Sequence, residues 1–192
     1  FEGDERPCCR DCGEGPYALD ACYAFGPYEG ALRLAHHAFK FEGMEHLATV
    51  LGQRMAGCLP STQGLEVLTP VPTRPERERE RGYHPARLLA MEVSRRTNLP
   101  LEDCLEKGRT TRPQVELDRA HRLKNLRGAF HYKGPDPAPR RVLLVDDVYT
   151  TGGTLEACAV ALKGAGVGGV GGVVLGRTPR LNARNGLEPD AK

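Results

Sequence analysis

The chain has 192 residues, 40% hydrophobic and 27% charged, with no Trp and only 6% aromatics. That composition fits an ordinary globular domain with a small appendage, and it argues against a protein that works through broad aromatic stacking surfaces. No apolar run approaches the roughly 20 residues that a membrane-spanning helix needs, and a net charge of +2 names no partner by itself. The charge is unevenly spread, however. Residues 107–127 hold seven basic side chains against two acids, and residues 74–87 hold five Arg against three Glu. An anionic ligand is expected at these middle segments.

Residues 1–25 are polar, Cys-rich and punctuated by Gly and Pro, and read as a small separate unit, truncated at its start. Cys9 and Cys12 form a C-x-x-C, and Cys8 and Cys22 lie near them. Zn²⁺ takes four ligands, usually as two close pairs. The second pair is missing, so either its cysteines lie upstream of Phe1 or the candidate ligands Cys8, Cys9, Cys12 and Cys22 form an irregular site. A redox C-x-x-C would need a preceding strand, and none is expected. Seven cysteines is an odd number, and no basic-then-apolar segment opens the chain. Both observations disfavour a disulfide framework and lead us to expect a reducing, cytoplasmic setting.

From residue 28 the pattern turns helical. Ala31, Leu34, Ala35 and Ala38 fall on one face, then Leu47, Val50, Leu51 and Met55 on another, with a break at Glu42-Gly43. His36 and His37 read as surface side chains. Residues 66–71 read as a strand ending in Pro70-Val71-Pro72. After a charged loop a helix is expected over 84–96, with Pro85 in its first turn. A short helix is expected over 117–126, and residues 135–139 form a turn-rich breaker.

The last third is the clearest. Residues 141–148 read as a strand with the continuous apolar core Val142-Leu143-Leu144-Val145. A run that is apolar on both faces suits a central parallel strand. A helix follows over 154–163, with Leu155, Cys158, Ala159 and Leu162 on one face, and Gly164 and Gly166 stop it. Residues 172–175 are the next strand. This βαβ unit predicts an α/β fold with a doubly wound parallel sheet flanked by helices. Residues 179–192 read as a solvated tail.

Between that strand and helix lies the chemistry. Asp146 and Asp147 sit at the strand's carboxyl end, followed by Val148, Tyr149, Thr150, Thr151, Gly152, Gly153 and Thr154. Glycines let backbone N–H groups approach a ligand, and a helix N-terminus adds positive potential, so a phosphate fits this loop. The adjacent carboxylates suit sugar hydroxyls or a hydrated Mg²⁺. Two rival readings fail. A Walker B strand end lacks its G-x-x-x-x-G-K-[ST] partner. The glycines at 164–169 follow a helix and precede a strand, the reverse of a dinucleotide fingerprint.

The thirteen residues 142–154 resemble, without gaps, the phosphoribosyl pyrophosphate (PRPP) signature of type I phosphoribosyltransferases. Phe39-Lys40-Phe41-x-Gly43, the Pro-Val-Pro strand end, Arg81-Gly82-Tyr83-His84-Pro85-Ala86, Arg109-x-Thr111-x-x-Gln114, Arg122-x-x-Asn125 and Ala129-Phe130 precede it. The order is similar to that of ComF-family proteins, phosphoribosyltransferase-like proteins linked to natural competence. The resemblance covers almost the whole chain. It departs at His84, where Asn is usual, and in the incomplete cysteine pattern.

The resemblance implies a type I phosphoribosyltransferase-like domain over 26–178 with a Cys-rich, zinc-ribbon-like appendage over 1–25. It places Asp146 and Asp147 on the ribose hydroxyls as the catalytic acids, with Mg²⁺ on the pyrophosphate. Tyr149, Thr150, Thr151, Gly152, Gly153 and Thr154 would hold the 5′-phosphate, and Val71, Pro72, Thr73 and Arg74 the pyrophosphate. A mobile basic loop in the second cationic segment would close over the reacting centre. The function implied is PRPP binding in DNA uptake, as a phosphoribosyltransferase of unspecified acceptor. The alternative is a module whose arginines at 74–87 and 107–127 bind single-stranded DNA while its PRPP site is non-catalytic. A competence helicase is the implied protein partner, and no membrane is involved.

Overall fold

The structure, a computed structural model, describes residues 17–108 and 128–179. In chain order the elements are β1 (Ala21–Pro27), α1 (Gly30–Phe41), α2 (Leu47–Gly57), β2 (Val67–Pro70), α3 (Pro75–Arg81) and α4 (Pro85–Thr97), then β3 (Leu105–Lys107), β4 (Phe130–Tyr132), β5 (Arg141–Tyr149), α5 (Gly153–Gly164) and β6 (Gly169–Arg177). The main sheet has the order β1-β6-β5-β2 with every pair parallel. Leu68 of β2 also exchanges bonds with the backbone at Pro100 and Glu102, which extends the sheet by one short bridge.

The sheet is the middle of three layers. Strand side chains alternate in direction, so each face collects every second residue. Val142, Leu144, Val170 and Val174 pack with Leu155, Cys158, Ala159 and Leu162 of α5 and with Leu105 and Phe130 of the antiparallel β3–β4 hairpin. Leu143, Val145, Val173 and Leu175 pack instead with Phe39 of α1, Leu51 and Met55 of α2, and Leu89 and Val93 of α4. The apolar run of β5 is thus buried on both faces, as a central parallel strand requires. The expected architecture, a parallel sheet flanked by helices, is what the chain forms.

Several expectations change. Residues 21–25 do not belong to a separate Cys-rich unit, because they are part of β1, paired along β6. The chain just before β1 is bound to the domain as well. Glu156 of α5 accepts from the Ala18 and Leu19 amides at 2.7 and 3.2 Å, and Asp20 accepts from Val170 at 2.7 Å. The inward face of α1 is also different. His36 and Phe39 are buried, whereas Leu34 is 73% exposed. Hydrophobicity alone picked the wrong stripe because a polar side chain occupies the inner one. On α2, Ala48 and Gly52 are buried in place of Val50. Finally, the β3–β4 hairpin has no counterpart in the sequence reading, since each strand is only three residues long. The last strand runs over nine residues, longer than 172–175. The helix expected over 117–126 lies outside the described residues, as do residues 1–16 and nearly all of the tail.

The contact of α2 with α4 depends on one small residue. A Cβ added at Gly52 would lie 2.4 Å from the Glu92 Cβ, an atom fixed to the α4 backbone. Gly52→Ala should therefore lower the melting temperature, although Ala is the better helix former by about 1 kcal/mol. We expect the overpacking, about 1–3 kcal/mol, to outweigh that gain. Differential scanning calorimetry checks it, and an unchanged or raised Tm would contradict the close approach.

Candidate ligand-binding site

β2 and β5 are neighbours whose following helices leave to opposite faces, α4 to one and α5 to the other. In open α/β sheets a divergence of this kind marks the crevice at the strands' carboxyl ends where ligands bind. The backbone ladder continues one step into it, with Val71 N–H donating to Val145 O at 2.9 Å. Residues 71–74 and 146–154 are thereby brought together.

The Gly/Thr loop is shaped by Gly152, the N-cap of α5, at φ +79°. A side chain there is excluded twice, by the left-handed backbone and by the Tyr149 hydroxyl, which a Cβ would meet at 2.2 Å. Tyr149 folds back under the loop, with the Arg177 guanidinium 4.8 Å from its ring centre. Thr150, Thr151 and Thr154 are exposed. The first N–H groups of α5 have no partner within the helix, so the loop presents donors and hydroxyls together to the crevice.

The two acids, adjacent in sequence, are sent to opposite faces by the strand's alternation. Asp147 points to the α1 side. It is 8% exposed and takes a bond from His36 Nε2 at 3.1 Å and a salt bridge from Lys40. Its other oxygen accepts the Val148 N–H at 2.7 Å. His36 Nε2 must donate, since a carboxylate only accepts. Its Nδ1 then faces the Tyr28 hydroxyl at 2.8 Å. Burial alone would raise the Asp147 pKa, but the His36 bond and the Lys40 charge outweigh burial and hold it well below the usual range.

Asp146 points to the α5 and hairpin side and accepts the Asp147 N–H at 2.9 Å. Burial, and then the charge of Asp147, push its pKa up to about 8. Facing it electrostatically is Lys107 of β3, whose pKa is lowered first by burial and then by Arg74 and Arg77. Lys107 also lies over the Phe130 ring at 5.2 Å. Lys107 of β3 and the arginines at the start of α3 are thus within electrostatic reach of one another, and Lys107 is within reach of Asp146.

His36, Lys40 and Lys107 are the functional residues that sequence reasoning missed. His36 was read as surface, and it is buried because Tyr28 and Asp147 give both ring nitrogens a partner. Lys40 lies in the Phe39-Lys40-Phe41-x-Gly43 stretch, whose pattern assigns it no role, and Lys107 is one of many bases in its segment. Arg79 sits as a solvated pair with Glu76 at 3.6 Å. Thr73 N–H points to His84 Nε2 at 3.2 Å. Among the candidate zinc ligands, Cys22 lies in β1, half-buried against the α5 side of the core; Cys8, Cys9 and Cys12 lie outside the described residues. Among the described residues no three His, Cys, Asp or Glu side chains converge as a metal site, and no helix is long and apolar enough to cross a membrane.

The two acids make opposite contributions to stability. Asp147, with its lowered pKa, stabilises the fold above about pH 4, and that contribution is lost as acid protonates it. Asp146, with its raised pKa, keeps a proton that the unfolded chain releases, so stability falls as pH rises from about 4 towards about 8. Asp146→Asn removes the second slope. The variant should melt higher than wild type at pH 8, by about 1–3 kcal/mol of stability, with the gap closing near pH 4. A gap equal at both pH values would contradict a buried, protonated Asp146.

Comparison with known proteins identifies the family. The phosphoribosyl transferase domain model matches residues 84–185. "Competence protein F" of Haemophilus influenzae is 30% identical over 83% of this chain and 73% of its own length. "DNA utilization protein YhgH" of Escherichia coli O157:H7 is 28% identical over 81% of this chain and 71% of its own. "Competence protein ComFC" of Bacillus subtilis is 34% identical over 50% of this chain and 38% of its own. With its sheet flanked by helices, its Gly/Thr loop at the crevice and these relatives, the chain belongs to the ComF family of phosphoribosyltransferase-like proteins.

Proposed function

We propose that this protein binds PRPP with Mg²⁺ in the crevice between β2 and β5, and that it acts in the uptake or use of DNA. The observation that carries the ligand is the β2–β5 pairing, which sets residues 71–74 beside the strand end that leads into the Gly/Thr loop, with Lys107, Arg74 and Arg77 within electrostatic reach of one another. These cations depress the Lys107 pKa between them, after burial, and a polyanion would relieve that repulsion. PRPP carries a phosphate at one end, which suits the 150–154 loop and the start of α5. It carries a pyrophosphate at the other, which suits residues 71–74 with Lys107. The place in DNA uptake is drawn from relatives named for competence and DNA utilization.

Mg²⁺ is held by one or two carboxylates together with substrate phosphates. Asp146 fits that role, because a divalent cation would displace its proton and satisfy the buried charge. Asp147 is already engaged by Lys40 and His36, so it contributes mainly by fixing the end of β5. When bound, the metal supplies charge neutralisation at the pyrophosphate. In a transfer reaction an acceptor would attack C1 as the pyrophosphate departs, and the Asp146 carboxylate would stabilise the positive charge that develops on the ring.

A second reading, single-stranded DNA binding, has its own support. Phe41 is 60% exposed at the end of α1, with the Arg81 guanidinium 5.4 Å from its ring centre. An exposed ring beside arginines suits a stacked base on a charged strand.

Calorimetric titration with PRPP and Mg²⁺ tests the first reading. We expect binding in wild type, loss in Asp146→Asn, and a drop of at least about tenfold in Lys107→Met, the worth of one charge-assisted contact. No heat at millimolar PRPP would sink it. For the second reading, affinity for single-stranded DNA should fall steeply with salt, weaken in Arg81→Ala and survive Asp146→Asn. Binding insensitive to salt would count against it.

A further inference from the structure

The imidazole of His84 stands between two backbone donors. Its Nδ1 lies 3.1 Å from the Arg87 N–H, where it caps α4. Its Nε2 lies 3.2 Å from the Thr73 N–H, in the loop that follows β2. A neutral imidazole has one bare nitrogen and one N–H, and an imidazolium has no acceptor at all. The ring can therefore accept from one of these donors at a time, and in each tautomer the other contact sets N–H against N–H. Burial disfavours the charged form, which would satisfy neither.

We propose that His84 is a positioning residue of the 71–74 loop, shared between Thr73 and Arg87 by exchange of its tautomer. With the proton on Nδ1, the ring holds Thr73 and ties the loop to the start of α4. With the proton on Nε2, the ring caps α4 and releases the Thr73 N–H. Each state makes one bond and forgoes one, so neither is favoured by hydrogen-bond count. The Thr73 peptide can then turn at the expense of a proton changing sides of a ring, without a net loss of bonds.

This gives the loop two arrangements of similar energy in the unliganded protein. An anion at 71–74 selects the second, because it takes the released Thr73 N–H and finds Nε2–H as a further donor. That last step rests on the pyrophosphate reading above; the sharing itself does not. An Asn at this position would still cap α4 through its side-chain oxygen. It has no atom where Nε2 stands, so it would leave Thr73 permanently released.

Ring nitrogen NMR shifts of the full chain test the proposal, with His84 assigned by the loss of its signals in His84→Asn. At about pH 8, where imidazoles are neutral, we expect both His84 nitrogens at shifts between the protonated and bare limits. PRPP with Mg²⁺ should move Nε2 to the protonated limit. A single limiting tautomer in the unliganded protein would overturn the sharing. Intermediate shifts that stay fixed while calorimetry records PRPP binding would overturn the coupling to ligand and leave the PRPP reading standing. Absence of any PRPP heat would remove that reading, while the unliganded shifts still decide the sharing. Thermal melts separate capping from loop control: His84→Asn should melt near wild type and His84→Ala several degrees lower.

Discussion

Strand β5 is buried on both faces, and its two-residue alternation does not stop where its apolar residues do. Val142 and Leu144 face the α5 layer, and Leu143 and Val145 face the α1, α2 and α4 layer. Asp146 and Asp147 continue the same alternation. Each carboxylate emerges between packed layers and has to be satisfied by what its own layer offers. The α1 layer offers Lys40 and His36, and Asp147 is held ionised. On the α5 and hairpin side burial and the charge of Asp147 outweigh Lys40 and Lys107, and the Asp146 pKa is raised. Most of the site's electrostatics follow from this single constraint.

The same constraint explains why α1 buries a histidine. Desolvating Asp147 without a partner would be prohibitive, so the helix that covers it carries two donors on its inner stripe, four residues apart and hence on one face. The Tyr28 hydroxyl, just before α1, completes the chain of bonds. Position and chemistry are thus coupled: the elements that close the sheet's edge also set the charge of the site.

The cations come from elsewhere. Arg74 and Arg77 open the short helix after β2, and Lys107 ends a three-residue strand on the opposite layer. Their mutual repulsion is offset in part by the charge of Asp146 near Lys107. In the loop after β2, the Thr73 N–H faces the His84 ring at 3.2 Å.

Much of this was legible in the sequence for local reasons. A continuous apolar run, a Gly/Thr turn and an apolar helix face are short-range patterns, and from them β5, the loop at 150–154 and α5 were read nearly to their ends. Gly152 was legible as part of the phosphate loop, whereas its left-handed backbone is a finding of the structure. Other features depend on residues far apart in the chain. Ala21 to Phe25 fall at the end of a segment that is polar and Cys-rich as a whole, and pairing with β6 makes a strand of them. His36 looked like surface because its partner Asp147 lies 111 residues away. Lys107 was one base among many until folding set it against Asp146. The sequence by itself determined which segments could be strand, loop and helix, because backbone propensity and hydrophobic period act over a few residues. Only the tertiary structure decided which charges meet, because burial and Coulomb interaction depend on distances that folding alone creates.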